Sequence, residues 1–150
     1  MNKCVIPGTF DPIQDGHLNI IKRASKIFDQ VVVAVAKSDA KGPKHSLDER
    51  VSLATEKCSD LDNVTVMSFD NLLVDFVREQ GANCVVRGLR NAQDFEYESN
   101  MTAANNKMDK DFETIFMLSD PELKNISSTQ IRELESMGID PDTLTKKTDY

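Results

Sequence analysis

Two hydrophobic patterns alternate along the chain. Cys4-Val5-Ile6, Val31 to Ala36, Val64 to Met67, Cys84-Val85-Val86 and Thr114 to Leu118 are short apolar runs rich in β-branched residues, and each reads as a strand. Between them the apolar residues recur every three or four positions. Leu18, Ile21, Ala24, Ile27 and Phe28 predict a helix from about Gly16 to Phe28. Further helices are expected over Leu47 to Lys57, Leu72 to Glu79, Ala92 to about Lys107, and about Ser127 to Met137. Punctuation supports these limits. Pro7-Gly8 and Arg87-Gly88 follow the first and fourth strands, and Ser46 with Glu49 has the form of a capping box. Gly81 and Gly138 stand where helices should stop.

Strand alternating with helix at this spacing implies right-handed crossovers. The expected fold is α/β: a doubly wound, five-stranded parallel sheet formed by residues 1–150 as a single domain. The tail from about residue 139 is poor in apolar residues and receives no role. Such sheets bind ligands beyond the C-terminal ends of their strands, so the chemistry is sought just after each apolar run.

Length and charge narrow the function. A 150-residue chain buries roughly 70% of its unfolded surface, enough for a core without disulfides or metal. With 18 basic and 25 acidic residues the formal charge is −7, which argues against a general nucleic-acid or anionic-membrane binder. A small anionic ligand held by a few local cations remains compatible. Cys4, Cys58 and Cys84 lack metal-ligand spacing and read as core residues. No apolar signal or membrane-spanning segment stands out, and a cytoplasmic setting is expected.

After the first strand comes Pro7-Gly8-Thr9-Phe10-Asp11-Pro12-Ile13-Gln14-Asp15-Gly16-His17. It is neither the dinucleotide-binding glycine pattern nor a phosphate-binding P-loop. It nevertheless puts Thr9, Gly16 and His17 between a strand exit and a helix start, where free backbone N–H groups favour phosphate. The second strand leads to Lys37-Ser38-Asp39-Ala40-Lys41-Gly42-Pro43. The fourth leads to Arg87-Gly88-Leu89-Arg90 and Asp94-Phe95-Glu96-Tyr97-Glu98, and the fifth to Ile126-Ser127-Ser128-Thr129.

The segment ending in Gln14-Asp15-Gly16-His17 resembles the signature of the nucleotidyltransferase superfamily, a Rossmann-like group. From Met1 to about Glu133 the ordered segments resemble the bacterial phosphopantetheine adenylyltransferase family, and the Arg87 to Glu98 block is the most specific of them. The resemblance implies adenylyl transfer from ATP to 4′-phosphopantetheine, giving dephospho-coenzyme A and pyrophosphate in coenzyme A biosynthesis. It implies magnesium carried mainly on the ATP phosphates, with no dedicated protein ligands, and a homohexamer that coenzyme A can inhibit by occupying the site.

Site residues follow from the same likeness. His17, Lys41 and Arg87 would be catalytic; Thr9, Lys41, Leu73 and Arg87 would bind the acceptor. Thr9, Phe10, His17, Gly88, Leu89, Arg90 and Glu98 would form the ATP site, with Leu123, Lys124, Asn125, Ile126, Ser127, Ser128 and Thr129. Ile6, Asn19 and Gly42 depart from residues common in that family. A related enzyme for another phosphate acceptor and a non-catalytic nucleotide-binding protein are the alternatives.

Overall fold

The computed structural model describes residues 1–37, 42–119 and 128–140. Strands β1 (Lys3–Gly8), β2 (Gln30–Ala36), β3 (Val64–Phe69), β4 (Cys84–Leu89) and β5 (Glu113–Leu118) alternate with α1 (Asp15–Ile27), α2 (Leu47–Lys57), α3 (Leu73–Glu79), α4 (Ala92–Met108) and α5 (Ser128–Ser136). The strands form one parallel sheet in the order β3-β2-β1-β4-β5. The chain therefore winds outward from β1 to β3, then returns to the other side of β1 for β4. The β1/β4 boundary is the switch point at which such sheets open a crevice.

Alternation along the strands divides the core into two layers. Cys4, Ile6, Val31, Val33 and Val35 join Ile20, Ile21 and Ala24 of α1 and Ala54 of α2. Val5, Val32, Ala34 and Val85 point the other way, toward Val74, Phe76 and Val77 of α3. Both faces are covered, which explains why these runs are continuously apolar. The three cysteines are buried and free. Burial, with a smaller effect from Cys84, pushes the Cys4 thiol up to about 12, so it behaves as a small apolar core group.

One boundary differs from the sequence expectation. β4 does not end before Arg87-Gly88; Arg87, Gly88 and Leu89 continue it, paired with Phe116, Met117 and Leu118 of β5. Gly88 marks close packing. A Cβ there would lie 3.1 Å from Ile20 Cγ1, so the glycine lets α1 approach the sheet.

The other side of β4 creates the opening. β1 matches β4 only at Cys4–Cys84 and Val5–Val85, whereas its register with β2 runs on to Gly8. From Ile6 onward the two central strands part.

Candidate active site

An open cleft of about 650 Å³ occupies that gap. Its walls are Ile6 to Pro12, then Gln14, Gly16, His17 and Ile20 at the start of α1, the β4 segment Val86-Arg87-Gly88, and Arg90, Asp94, Glu98 and Ser119. Thr9, Phe10, His17, Arg87, Gly88, Arg90 and Glu98, scattered over ninety positions of sequence, thus face one space.

His17 is the third residue of α1, and its orientation is set by the helix start. Its Nδ1 accepts the backbone N–H of Gln14 at 3.0 Å, satisfying a donor that the helix leaves free. An Nδ1 lone pair committed in this way puts the proton of the neutral ring on Nε2. Burial, reinforced by the positive charge of Arg90, holds the His17 pKa below its ordinary value. The ring also packs edge-on against Phe10, with centroids 5.1 Å apart. Phe10 adopts φ 48° and is buried, so its ring contacts hold a left-handed backbone that costs a residue with a Cβ about 1–2 kcal/mol.

Arg87 spans the gap between the parted strands. Its Nη1 donates to the Pro7 carbonyl at 3.0 Å. Nε and Nη2 donate to the two carboxylate oxygens of Glu98 at 2.9 and 2.6 Å, a bidentate pair. The side chain of Glu98 is largely buried, and that of Arg87 keeps 30% of its surface exposed. The guanidinium is therefore held rigidly while presenting charge to the cleft.

Arg90 lies at the cleft mouth with its side chain 78% exposed. Asp94 accepts from both its backbone N–H, at 3.0 Å, and its Nε, at 3.4 Å. Asn91 caps α4 by accepting the Asp94 N–H at 2.9 Å. Leu73 lines a separate cavity of about 80 Å³ with Val85 and Phe112. Arg87 and Glu98 line both spaces, so the small cavity abuts the cleft through their ion pair.

Leu89 is buried in the sheet and does not line the cleft. Ser128 opens α5. Thr129 is exposed, accepts a 3.4 Å hydrogen bond from Arg132, and does not line the cleft. Lys41, Leu123, Lys124, Asn125, Ile126 and Ser127 lie outside the described residues. Of the three family departures, Ile6 is buried in the core, Asn19 accepts from Arg23 at 3.2 Å, and Gly42 has φ 55°. That last backbone conformation favours glycine over any residue with a Cβ.

The sequence assigned no roles to Asp11, Asp94 or Ser119, although all three line the cleft. Asp11 and Asp94 stood inside the diagnostic segments, and their places just after β1 and in the first turn of α4 were the available signal. Burial alone would raise the Asp11 pKa, but hydrogen bonds from the His45 ring and from the Lys44 and His45 amides lower it. Each carboxylate in the cleft is thus already engaged: Asp11 with Lys44 and His45, Asp94 with Arg90, Glu98 with Arg87. Among the described residues no three His, Cys, Asp or Glu side chains cluster as a ligand set.

Donors and cations around an open cleft, with no nucleophile poised beside a base among the described residues, suit the alignment of anionic groups. Comparison with known proteins agrees. Residues 5–134 match the family described as cytidylyltransferase-like. A phosphopantetheine adenylyltransferase from Campylobacter curvus is 52% identical over 133 residues, covering 87% of this chain and 84% of that protein. One from Campylobacter hominis is 47% identical over 144 residues, covering 96% and 91%. A solved bifunctional NMN adenylyltransferase/ADP ribose pyrophosphatase from Francisella tularensis shares the fold, with TM-score 0.59 at 17% identity over 99% of this chain and 46% of that one. The chain belongs to the cytidylyltransferase-like family and, within it, to the phosphopantetheine adenylyltransferases.

Proposed function

We propose that the chain transfers the adenylyl group of ATP to 4′-phosphopantetheine, forming dephospho-coenzyme A and pyrophosphate, reversibly, as a step of coenzyme A biosynthesis. The carrying observation is the shared cleft of His17 and Arg87: a neutral imidazole donor and a braced guanidinium at the parted ends of β1 and β4. The names of the curated relatives support this choice of substrates.

A phosphate monoester is already nucleophilic near neutral pH, so the acceptor phosphate attacks the α-phosphorus directly and pyrophosphate leaves. The α-phosphorus–oxygen bond to the acceptor forms as the bond to pyrophosphate breaks. The protein must bring two polyanions into line and stabilise charge moving onto the leaving group. His17 Nε2–H donates to an α-phosphoryl oxygen. Arg87 holds the acceptor phosphate with Lys41, and Thr9 contacts both substrates. Gly88, Arg90 and Glu98 flank the nucleotide, and Leu73 borders the pantetheine arm. Magnesium, which would be held mainly by the ATP phosphates, would offset phosphate charge.

The protein acts in the cytoplasm, a placement supported by its free, buried cysteines. Among the described residues no helix is long and apolar enough to cross a membrane. It assembles as a homohexamer: α4 has no buried residue in the single chain and exposes Tyr97, Met101 and Met108 along one side, a face suited to another copy. Coenzyme A competes at the same cleft.

Pyrophosphate release with ATP and a panel of acceptors tests the reaction. The expected result is turnover with 4′-phosphopantetheine far above that with nicotinamide mononucleotide or glycerol phosphate. Preference for another acceptor would reassign the substrate, and no release with any acceptor would favour a nucleotide-binding role without catalysis.

A further inference from the structure

Arg50 lies outside the cleft and has no role in the reaction described above. It projects inward from the first turn of α2, in line with Leu47, Ala54 and Cys58, and is only 1% exposed. A fully buried guanidinium is costly unless its donors are satisfied. Among the described residues its hydrogen-bond partners are all backbone carbonyls. Nη1 donates to Ala36 O at 2.7 Å and Thr9 O at 2.9 Å, Nε to His45 O at 3.2 Å, and Nη2 to Lys37 O at 3.3 Å.

Those carbonyls belong to three separate segments. Thr9 follows β1, Ala36 ends β2 with Lys37 just beyond it, and His45 precedes α2. One planar fork therefore fixes the C-terminal ends of two adjacent strands relative to each other. Its bond to Thr9 O holds the peptide that enters Phe10, the residue with φ 48° whose ring packs on His17. A second tie runs in parallel. Asp11 accepts from Lys44 N at 2.7 Å, His45 N at 2.9 Å and His45 Nδ1 at 2.9 Å. The cleft wall Thr9-Phe10-Asp11 is thereby strapped to the start of α2 at both ends.

We infer that Arg50 is a positioning residue for adenylyl transfer: its buried fork sets the Thr9–Phe10 backbone, and through Phe10 the place of the His17 ring. The inference rests on the proposed reaction. It explains a charged residue in an otherwise apolar helix stripe, where a methionine would fill similar space without desolvating a cation. Displacements near 1 Å at a reacting centre can cost about a hundredfold in rate, so a loosened strap is felt in turnover more than in substrate affinity.

Arg50→Lys keeps the charge but replaces the fork with a single ammonium group. The expected result, after correction for folded fraction, is a kcat lowered about ten- to a hundredfold. KM for both substrates should stay within about threefold, and backbone amide exchange should rise in the segment spanning residues 8–12. Arg50→Met should do the same or more. Normal kcat in folded Arg50→Lys, with exchange in 8–12 unchanged, would overturn the inference and leave Arg50 a core staple. If neither variant folds, His45→Phe, which removes the ring bond to Asp11 at a partly exposed position, takes the same two measurements. A smaller drop in kcat with faster exchange supports the strap; no change in either rejects it. Amide exchange separates this inference from the reaction itself, because inactive wild-type protein would refute the activity while the exchange comparison still decides the strap.

Discussion

Replacing His17 with alanine makes the sharpest demand on the proposed site. The substitution removes the Nε2–H donor, the Nδ1 acceptor for Gln14 N–H, and an aromatic contact with Phe10. Loss of one preorganised donor to a developing oxyanion typically costs 10²–10³ in kcat, about 2.7–4 kcal/mol. Loss of the cap-like bond costs about 0.5–2 kcal/mol of stability, which for a chain of this length lowers Tm by about 2–8 °C. Catalysis should therefore fall much further than stability. Steady-state pyrophosphate release at saturating ATP and acceptor separates the two, with thermal unfolding measured on the same preparation. KM for each substrate should change by less than about fivefold, because the donor acts mainly in the transition state. His17→Gln, whose amide can donate from a similar position, should recover part of the lost rate. If kcat for His17→Ala stayed within threefold of wild type, the imidazole would not be the charge-stabilising donor and the chemical argument for the cleft would fail.

Other consequences follow from the same geometry. The folded His17 pKa lies below the unfolded value of about 6.5, so the unfolded chain takes up the proton first; the ring's contribution to stability is complete above about pH 6.5 and is lost as pH falls through the folded pKa. Thermal scans at pH 5.5 and 7.5 should show a larger loss for wild type than for His17→Gln. Glu98→Ala leaves the partly exposed Arg87 guanidinium without its fork partner; urea unfolding should show about 1–2 kcal/mol of destabilisation, below the fully buried case because solvent reaches Arg87, and acceptor KM should rise. Gly88→Ala places a methyl group 3.1 Å from Ile20 Cγ1, and overpacking there should cost about 1–3 kcal/mol by urea unfolding and narrow the cleft. Asn91→Ala should lower stability by about 0.5–2 kcal/mol through loss of the α4 cap, with kcat nearly unchanged.

The sheet was legible because its evidence is local and repetitive. Val31 to Ala36 is apolar at every position because both faces of β2 are covered, and Ser46-Leu47-Asp48-Glu49 marks the start of α2 through its own hydrogen bond, Glu49 N–H to Ser46 Oγ at 3.1 Å. The end of β4 was misplaced because a glycine after an apolar run has two meanings. At Gly88 close approach of α1 decided the matter, and pairing with β5 carried the strand to Leu89.

Within the site, His17 and Arg87 were visible from their places beside strand ends together with the family motif. The pairing of Arg87 with Glu98 was not, since an ion pair between a strand and the second turn of a helix depends on how the two pack. Arg50 was missed for a related reason. A charge in the first turn of an amphipathic helix reads as solvated, and only its alignment with Leu47, Ala54 and Cys58 hinted that it faced inward.

The most direct measurement is a crystal structure of the protein with dephospho-coenzyme A, the product that joins both substrate halves. The account predicts its pyrophosphate linkage in the gap between β1 and β4, within hydrogen-bond reach of His17 Nε2 and the Arg87 guanidinium. Product bound elsewhere, with that gap free of ligand density, would contradict it.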